Sequence, residues 1–250
     1  MGGSGVLTND EKIHFREEGY LVFPGVIPEE RVVFYRSVFD EMVERARKMA
    51  AAEPHWSLEL DDEGEPIPGL LHKVQGVCVV DSRILELARE PAVLDRVEAL
   101  VGPEIDVFGT KFFPKLPGGG SSVYWHQDNF YFGTNSDVIV SCGIYLETSD
   151  EANGCLTVVP ASHLSGEIAE HEKRVNSHGS WMQVDEARAI QVEVPPGSVV
   201  LFSANLLHGA LDNTSERSRY STAWHYVPAA FVSDRFIKGE YEDRHTVRGA

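Results

Sequence analysis

Residues 125–128 read Trp-His-Gln-Asp, and a second histidine, His208, stands far downstream in Leu-Leu-His-Gly. Two imidazoles and one carboxylate are the donor set that holds iron(II) on one side and leaves the other side open. On a strand, positions i and i+2 share a face, so His126 and Asp128 would both aim at one ion. His-x-Asp alone is a weak signal in a chain with ten histidines. The same letters describe a surface histidine and aspartate beside a turn. His208 follows an apolar strand candidate, where a satisfied core histidine is the competing reading. Arg219 opens the next strand candidate, and its guanidinium can take a carboxylate through two parallel hydrogen bonds. Arg217 has the same strand parity and competes for that role.

These groups come from distant parts of the chain, so a particular fold must bring them together. The first third reads helical. Thr8 and Glu11 have the spacing of a capping box and open a helix over residues 11–18, closed by Gly19. Tyr20–Phe23 reads as a short strand. Pro28 starts a longer helix, with Val32, Tyr35, Phe39, Met42, Ala46 and Met49 in one apolar stripe. A further helical stretch covers residues 82–100, interrupted at Pro91 and closed by Gly102. From Glu104 the period changes. Strand candidates cover residues 105–113, 138–146, 156–159, 190–194, 199–202 and 219–227, separated by Gly, Pro, Asn and Ser clusters. Many short strands of this kind make a sandwich or a barrel. The polar stretches 53–69 and 165–188 read as loops, of the length that often serves as a lid or binding segment.

Composition sets the outer limits. The chain has 250 residues, 42% hydrophobic and 24% charged, which suits one domain over 1–250. The net charge of −17 argues against nucleic acid, because phosphate binding needs clustered cations. Cys78, Cys142 and Cys155 have no paired spacing and read as small core residues. Residues 1–5 read as an expression remnant without the apolar run of a signal peptide. No stretch approaches the roughly 20 apolar residues of a membrane helix. The cytoplasm is the expected location.

Four segments, in order, resemble the phytanoyl-CoA dioxygenase (PhyH) family of iron(II)- and 2-oxoglutarate-dependent oxygenases. They are Phe15-Arg-Glu-Glu-Gly-Tyr-Leu-Val-Phe-Pro-Gly, Tyr124-Trp-His-Gln-Asp, Asn153-Gly-Cys-Leu-Thr-Val-Val-Pro-Ala-Ser-His, and Pro196-Gly-Ser-Val-Val-Leu-Phe followed by Leu207-His208-Gly209 and Arg219. The likeness spans roughly residues 12 to 228. It implies a mainly β fold with flanking helices, a cupin-like double-stranded β-helix or jelly roll. The helical part would cover about 8–102 and the jelly-roll core about 103–228. It implies that His126, Asp128 and His208 are the catalytic iron ligands and that Arg219 holds the distal carboxylate of 2-oxoglutarate, with Ser221 assisting by strand parity. Thr110 or Lys111 would touch the co-substrate. Some relatives have a hydroxyl two places after the distal histidine; here that residue is Ala210, so one contact must come from elsewhere. His163 ends the Pro-Ala-Ser-His turn and reads as a structural hydrogen-bonding group.

The resemblance implies iron(II), 2-oxoglutarate and O2 as reactants, with succinate and CO2 released and a C–H bond of a small molecule hydroxylated. Family-like enzymes with a small residue at position 128 leave room for halide; the carboxylate kept here favours hydroxylation. Substrate contacts are expected from Lys73, Gln75, Trp125, Phe130, Tyr131, Trp181 and Trp224, each weighed against core packing or solvation. Neither nucleic acid nor membrane is an expected partner. Oligomeric state is not legible. Two rival readings stand: a cupin-like metalloenzyme that does not use 2-oxoglutarate, and a non-catalytic jelly-roll binding module.

Overall fold

The computed structural model describes residues 6–173 and 178–249, so the remnant expected at 1–5 lies outside the described residues. Thr8 accepts from the Glu11 N–H while the Glu11 carboxylate accepts from the Thr8 N–H, and this reciprocal cap starts α1 (Asn9–Glu18). Then come β1 (Tyr20–Phe23) and α2 (Glu29–Ala46), followed by β2 (Trp56–Leu60) and β3 (Pro66–Gln75). Three helices, α3 (Val77–Val80), α4 (Ser82–Ala88) and α5 (Pro91–Val101), precede β4 (Ile105–Phe113) and β5 (Val123–His126). The one-turn helix α6 (Asp128–Phe132) leads to β6 (Val140–Tyr145) and β7 (Leu156–Val158). The chain continues through β8 (Glu172–Lys173), β9 (Ser180–Trp181), β10 (Ile190–Val192), β11 (Ser198–Ser203) and β12 (His208–Ala210), and ends with β13 (Ser221–Pro228) and β14 (Arg244–Arg248).

The main sheet has the order β1-β11-β6-β13-β4-β3-β2, with β14 also pairing β4. A second sheet has the order β10-β7-β12-β5. This is the jelly-roll architecture the sequence implied. The main sheet is buried on both faces. Val140, Cys142 and Ile144 of β6 join Phe39, Leu87 and Val97 of the helices in one core. Tyr145 of β6 and Val200 and Phe202 of β11 face the other way and pack on Leu156 and Val158 of the second sheet. Period-2 alternation thus sends one residue set to the helices and the other to the jelly-roll interior.

Three sequence expectations change. Residues 53–69 are not a plain loop, because β2 and the start of β3 form a hairpin there. Asp61 Oδ1 accepts from the backbone N–H of Glu63 and Glu65 and closes its turn. The polar letters marked that turn, and the strands flanking it were hidden by Pro66 and Pro68. The jelly-roll core also extends beyond residue 228, since β14 covers one half of the β4 edge while β3 covers the other. The strand carrying the first histidine stops at His126, and Asp128 begins α6. The stretch 165–188 is largely irregular in its described part, apart from the β8–β9 pair and a turn of 3-10 helix over Glu186–Arg188.

One irregularity shapes the interior. The β4–β13 register slips between Ala223↔Lys111 and His225↔Phe108. That slip is a bulge on β4, and Gly109 (φ 61) absorbs it. Because of the extra residue, Phe108 and Lys111 both face inward although they are an odd number of positions apart. A Cβ on Gly109 would lie 3.1 Å from His225 Cδ2 on top of the unfavourable φ. Gly109→Ala should therefore lower the unfolding free energy by about 1–3 kcal/mol, measured as a lower urea midpoint at unchanged slope.

Candidate metal centre

His126 closes β5, His208 opens β12, and the two are direct register partners. Their rings lie 4.2 Å apart. His126 Nδ1 is 2.8 Å from the Tyr124 carbonyl, and His208 Nδ1 is 2.9 Å from the Leu206 carbonyl. A carbonyl only accepts, so each Nδ1 carries the hydrogen and each Nε2 keeps its lone pair for a metal. Asp128 sits opposite, with Oδ1 3.6 Å from His126 Nε2 and Oδ2 3.7 Å from His208 Nε2. The donor atoms of the three residues all lie within 4.8 Å of one another, and all three residues are buried. Donors about 2.1 Å from one ion and at right angles would be roughly 3 Å apart, so small side-chain shifts close this set around a metal.

The turn that presents Asp128 is held by amides. Gln127 Nε2 donates to the Asn205 carbonyl (2.9 Å), and Asn129 Nδ2 donates to Asn205 Oδ1 (2.6 Å) and the Ser136 carbonyl (2.7 Å). Burial alone would raise the Asp128 carboxyl, but His225, His208 and His126 together hold it well below the usual carboxylate range. Burial, then the neighbouring His126, pushes His208 down to about 4, which keeps its Nε2 unprotonated at neutral pH.

A chain of hydrogen bonds stands behind the carboxylate. Ser141 Oγ donates to Asp128 Oδ2 (2.6 Å) and lies 3.0 Å from His225 Nδ1. The single hydroxyl hydrogen is used on Asp128, so His225 Nδ1–H must be the donor to Ser141. His225 Nε2 then accepts from Lys111 Nζ (3.3 Å), which also donates to the Gly109 carbonyl (3.0 Å). Burial pushes His225 down to about 3, consistent with the neutral ring this pattern needs. The sequence reading missed His225 and Ser141. Both had a signal: His225 has the parity of Ser221 on β13, and Ser141 is a polar residue inside an apolar run.

The triad opens on a cavity of about 380 Å³, the size of a small-ligand site. Arg219 reaches it from the segment just before β13. Its Nη1 donates to the Gly154 carbonyl (2.9 Å), its Nη2 to Ser221 Oγ (3.0 Å), and its guanidinium lies 5.6 Å from the Tyr145 ring centre. Arg217 instead pairs with Asp150 (2.7 Å) at the surface. Ser221, Lys111, Lys73, Gln75, Tyr131 and Ala210 also line the cavity. Thr110 does not. It alternates with Gly109 and Lys111, and its hydroxyl donates to Asp243 (2.7 Å) and accepts from the Cys78 N–H (3.1 Å). Trp125, Phe130 and Trp181 are likewise absent from the wall. Trp125 donates to Glu186 (2.9 Å), Phe130 stacks on His171 (4.0 Å), and Trp181 pairs with Glu172 across β9 and β8. Trp224 is at the wall but fully buried in the helix-side core. His163 is structural, as read, though it bonds the Arg16 carbonyl at the end of α1 rather than its own turn. The three cysteines are buried and free.

The phytanoyl-CoA dioxygenase (PhyH) profile matches residues 15–221. The chain belongs to this family. Among curated PhyH relatives, the human peroxisomal phytanoyl-CoA dioxygenase is 26% identical over 236 residues, covering 90% of this chain and 69% of that protein. Among solved structures, the non-heme alpha-ketoglutarate-dependent carbocyclase SnoK from nogalamycin biosynthesis superposes with a TM-score of 0.67 at 22% identity, covering 89% of this chain and 85% of that one. The epimerase SnoN, solved with Fe3+, alpha-ketoglutarate and nogalamycin RO, gives 0.66 at 19% identity, covering 87% and 82%. These structural likenesses establish the fold. Among the described residues, no helix is long and apolar enough to cross a membrane.

For this PhyH-family site, the Ser141 bond to Asp128 should matter to metal binding. Ser141→Ala should weaken iron(II) affinity by about 10- to 100-fold, measured by anaerobic equilibrium dialysis, while the fold seen by circular dichroism stays intact.

Proposed function

We propose that this chain is an iron(II)- and 2-oxoglutarate-dependent dioxygenase that hydroxylates an unactivated C–H bond of a small-molecule metabolite, releasing succinate and CO2. The observation that carries the co-substrate is Arg219. It is buried in the cavity wall, its Nε has no hydrogen-bond partner, and no carboxylate pairs with it among the described residues. A buried guanidinium without a counter-ion is costly, and a bound carboxylate offsets that cost. Ser221 fixes one edge of the guanidinium, leaving its Nε edge for the distal carboxylate of 2-oxoglutarate.

His126, Asp128 and His208 would hold iron(II), which supplies the oxidising chemistry once bound. The protein does the rest. The two backbone carbonyls keep both imidazoles in the metal-binding tautomer. Ser141 and His225 hold the Asp128 carboxylate in place. Tyr131, edge-on to the His126 ring at 5.7 Å and accepting the Ser180 N–H (2.9 Å), ties the 178–180 segment to the cavity wall. Asp128 fills the third ligand position, which supports hydroxylation over halogenation. The cytoplasmic location, the single-domain organisation and the small-molecule partner remain part of this proposal.

Anaerobic addition of iron(II) and then 2-oxoglutarate to metal-free protein should produce a visible charge-transfer band. The band should vanish in His208→Ala. In Arg219→Ala the 2-oxoglutarate concentration needed for half-formation should rise roughly 30-fold or more, as expected for loss of one partner of a buried charge pair. Iron binding with no band would instead favour a cupin-like metalloenzyme that does not use 2-oxoglutarate.

A further inference from the structure

His72 sits where β3 breaks step. β2 pairs Ser57 with Lys73 but Leu58 with Leu71, which makes His72 the extra residue of a bulge on β3. Regular alternation would send the side chains of His72 and Lys73 to opposite faces, yet both line the cavity. The His72 side chain is 7% exposed, and the Glu59 side chain behind it 4%. His72 Nδ1 lies 3.1 Å from Glu59 Oε2. The same carboxylate accepts from Ser121 Oγ (2.5 Å) and from the Ser121 N–H (3.2 Å). Burial alone would raise the Glu59 carboxyl, but His72 and then Ser121 hold it below its usual range. An ionised carboxylate only accepts, so His72 Nδ1 carries the hydrogen.

A carboxylate on one imidazole nitrogen fixes the tautomer and leaves the other nitrogen for a ligand. Here that other nitrogen is Nε2. Among the described residues nothing hydrogen-bonds to it or pairs with it, and the ring stands in the cavity wall. The ring is held by its neighbours as well. His178 stacks on it at 4.2 Å, and Phe113 meets it edge-on at 5.9 Å. His178 donates its Nε2–H to the Leu58 carbonyl (2.6 Å), and burial, then His72, pushes it down to about 4, so it adds no charge. A bare imidazole nitrogen backed by a carboxylate in a buried setting is a strong hydrogen-bond acceptor. We propose that His72, oriented by Glu59, is the specificity-determining residue of the substrate subsite, and that the substrate carries a hydroxyl that donates to His72 Nε2 while its apolar part lies in the cavity shared with His126, Asp128 and His208. This deepens the oxygenase reading and rests on it for where the substrate lies.

The test is calorimetric, on protein loaded anaerobically with iron(II) and 2-oxoglutarate, with phenol and toluene as probes. The two have nearly the same shape, and toluene lacks the hydroxyl. Phenol should bind saturably. His72→Phe keeps a flat ring between His178 and Phe113 and removes the acceptor. It should lower the ratio of phenol to toluene affinity by about tenfold with toluene itself unchanged, a split that a purely structural role would not give. Glu59→Gln should lower the same ratio by roughly threefold, because the imidazole loses the charge behind it, and it carries the comparison if His72→Phe does not fold. The 2-oxoglutarate affinity, read from the charge-transfer band, should be the same in both variants as in wild type. No saturable binding of phenol, or an unchanged ratio in either variant, would overturn the proposal. So would a loss of 2-oxoglutarate affinity in His72→Phe, which would assign His72 to the co-substrate. Failure of the band in wild type would count against the iron and 2-oxoglutarate reading alone. The phenol and toluene comparison would then be read on metal-free protein, with the same outcomes supporting or overturning the role of His72.

Discussion

Two hydrogen bonds from imidazole to backbone carry this site. Each metal-facing histidine gives its Nδ1 hydrogen to the carbonyl two residues earlier in its own chain, at Tyr124 and at Leu206. Because β5 and β12 are antiparallel neighbours, fixing each ring against its own backbone also fixes the rings against each other. The sheet thereby prepares two nitrogen donors. The oxygen donor needs a different device, since the strand has ended. Gln127, Asn129 and Asn205 anchor the turn, and Ser141 and His225 set the carboxylate from the facing sheet. The Gly109 bulge brings Lys111 to the end of that chain.

The same interior concentrates positive charge in a strongly acidic protein. Burying cations costs free energy unless anions arrive to meet them. Arg219 incurs that cost at the wall, where its Nε has no hydrogen-bond partner. Lys111 is different in kind, because two of its three hydrogens are used on the Gly109 carbonyl and His225.

Much of the fold was legible because the periodicities were clean. The cap at Thr8, the apolar stripe of α2, and β4 over Ile105–Phe113 all follow from spacing alone. The triad was legible as residue types, but not by the route first supplied. Asp128 does not share a strand face with His126, and it reaches the same point from the first residue of a helix. Strand parity found Ser221 and, carried two steps further, would have found His225. Parity failed on β4, where the bulge lets Lys111 face inward and leaves Thr110 pointing to Asp243. Among the aromatics, sequence could not separate cavity wall from core. Tyr131 lines the cavity, Trp224 is buried among helix-side residues, and Trp125 finds Glu186. β14 gave no signal, because its place depends on a free half-edge of β4 that only the assembled sheet creates.

The central claim is that the chain itself sets both imidazoles in the metal-binding tautomer before any metal arrives. Nitrogen-15 NMR of histidine-labelled, metal-free protein at neutral pH tests this most directly, with His126→Gln and His208→Gln to assign the two rings. The account predicts that both rings are neutral, with hydrogen on Nδ1 and a bare Nε2. Hydrogen on Nε2 of either ring, or a doubly protonated His208, would contradict it.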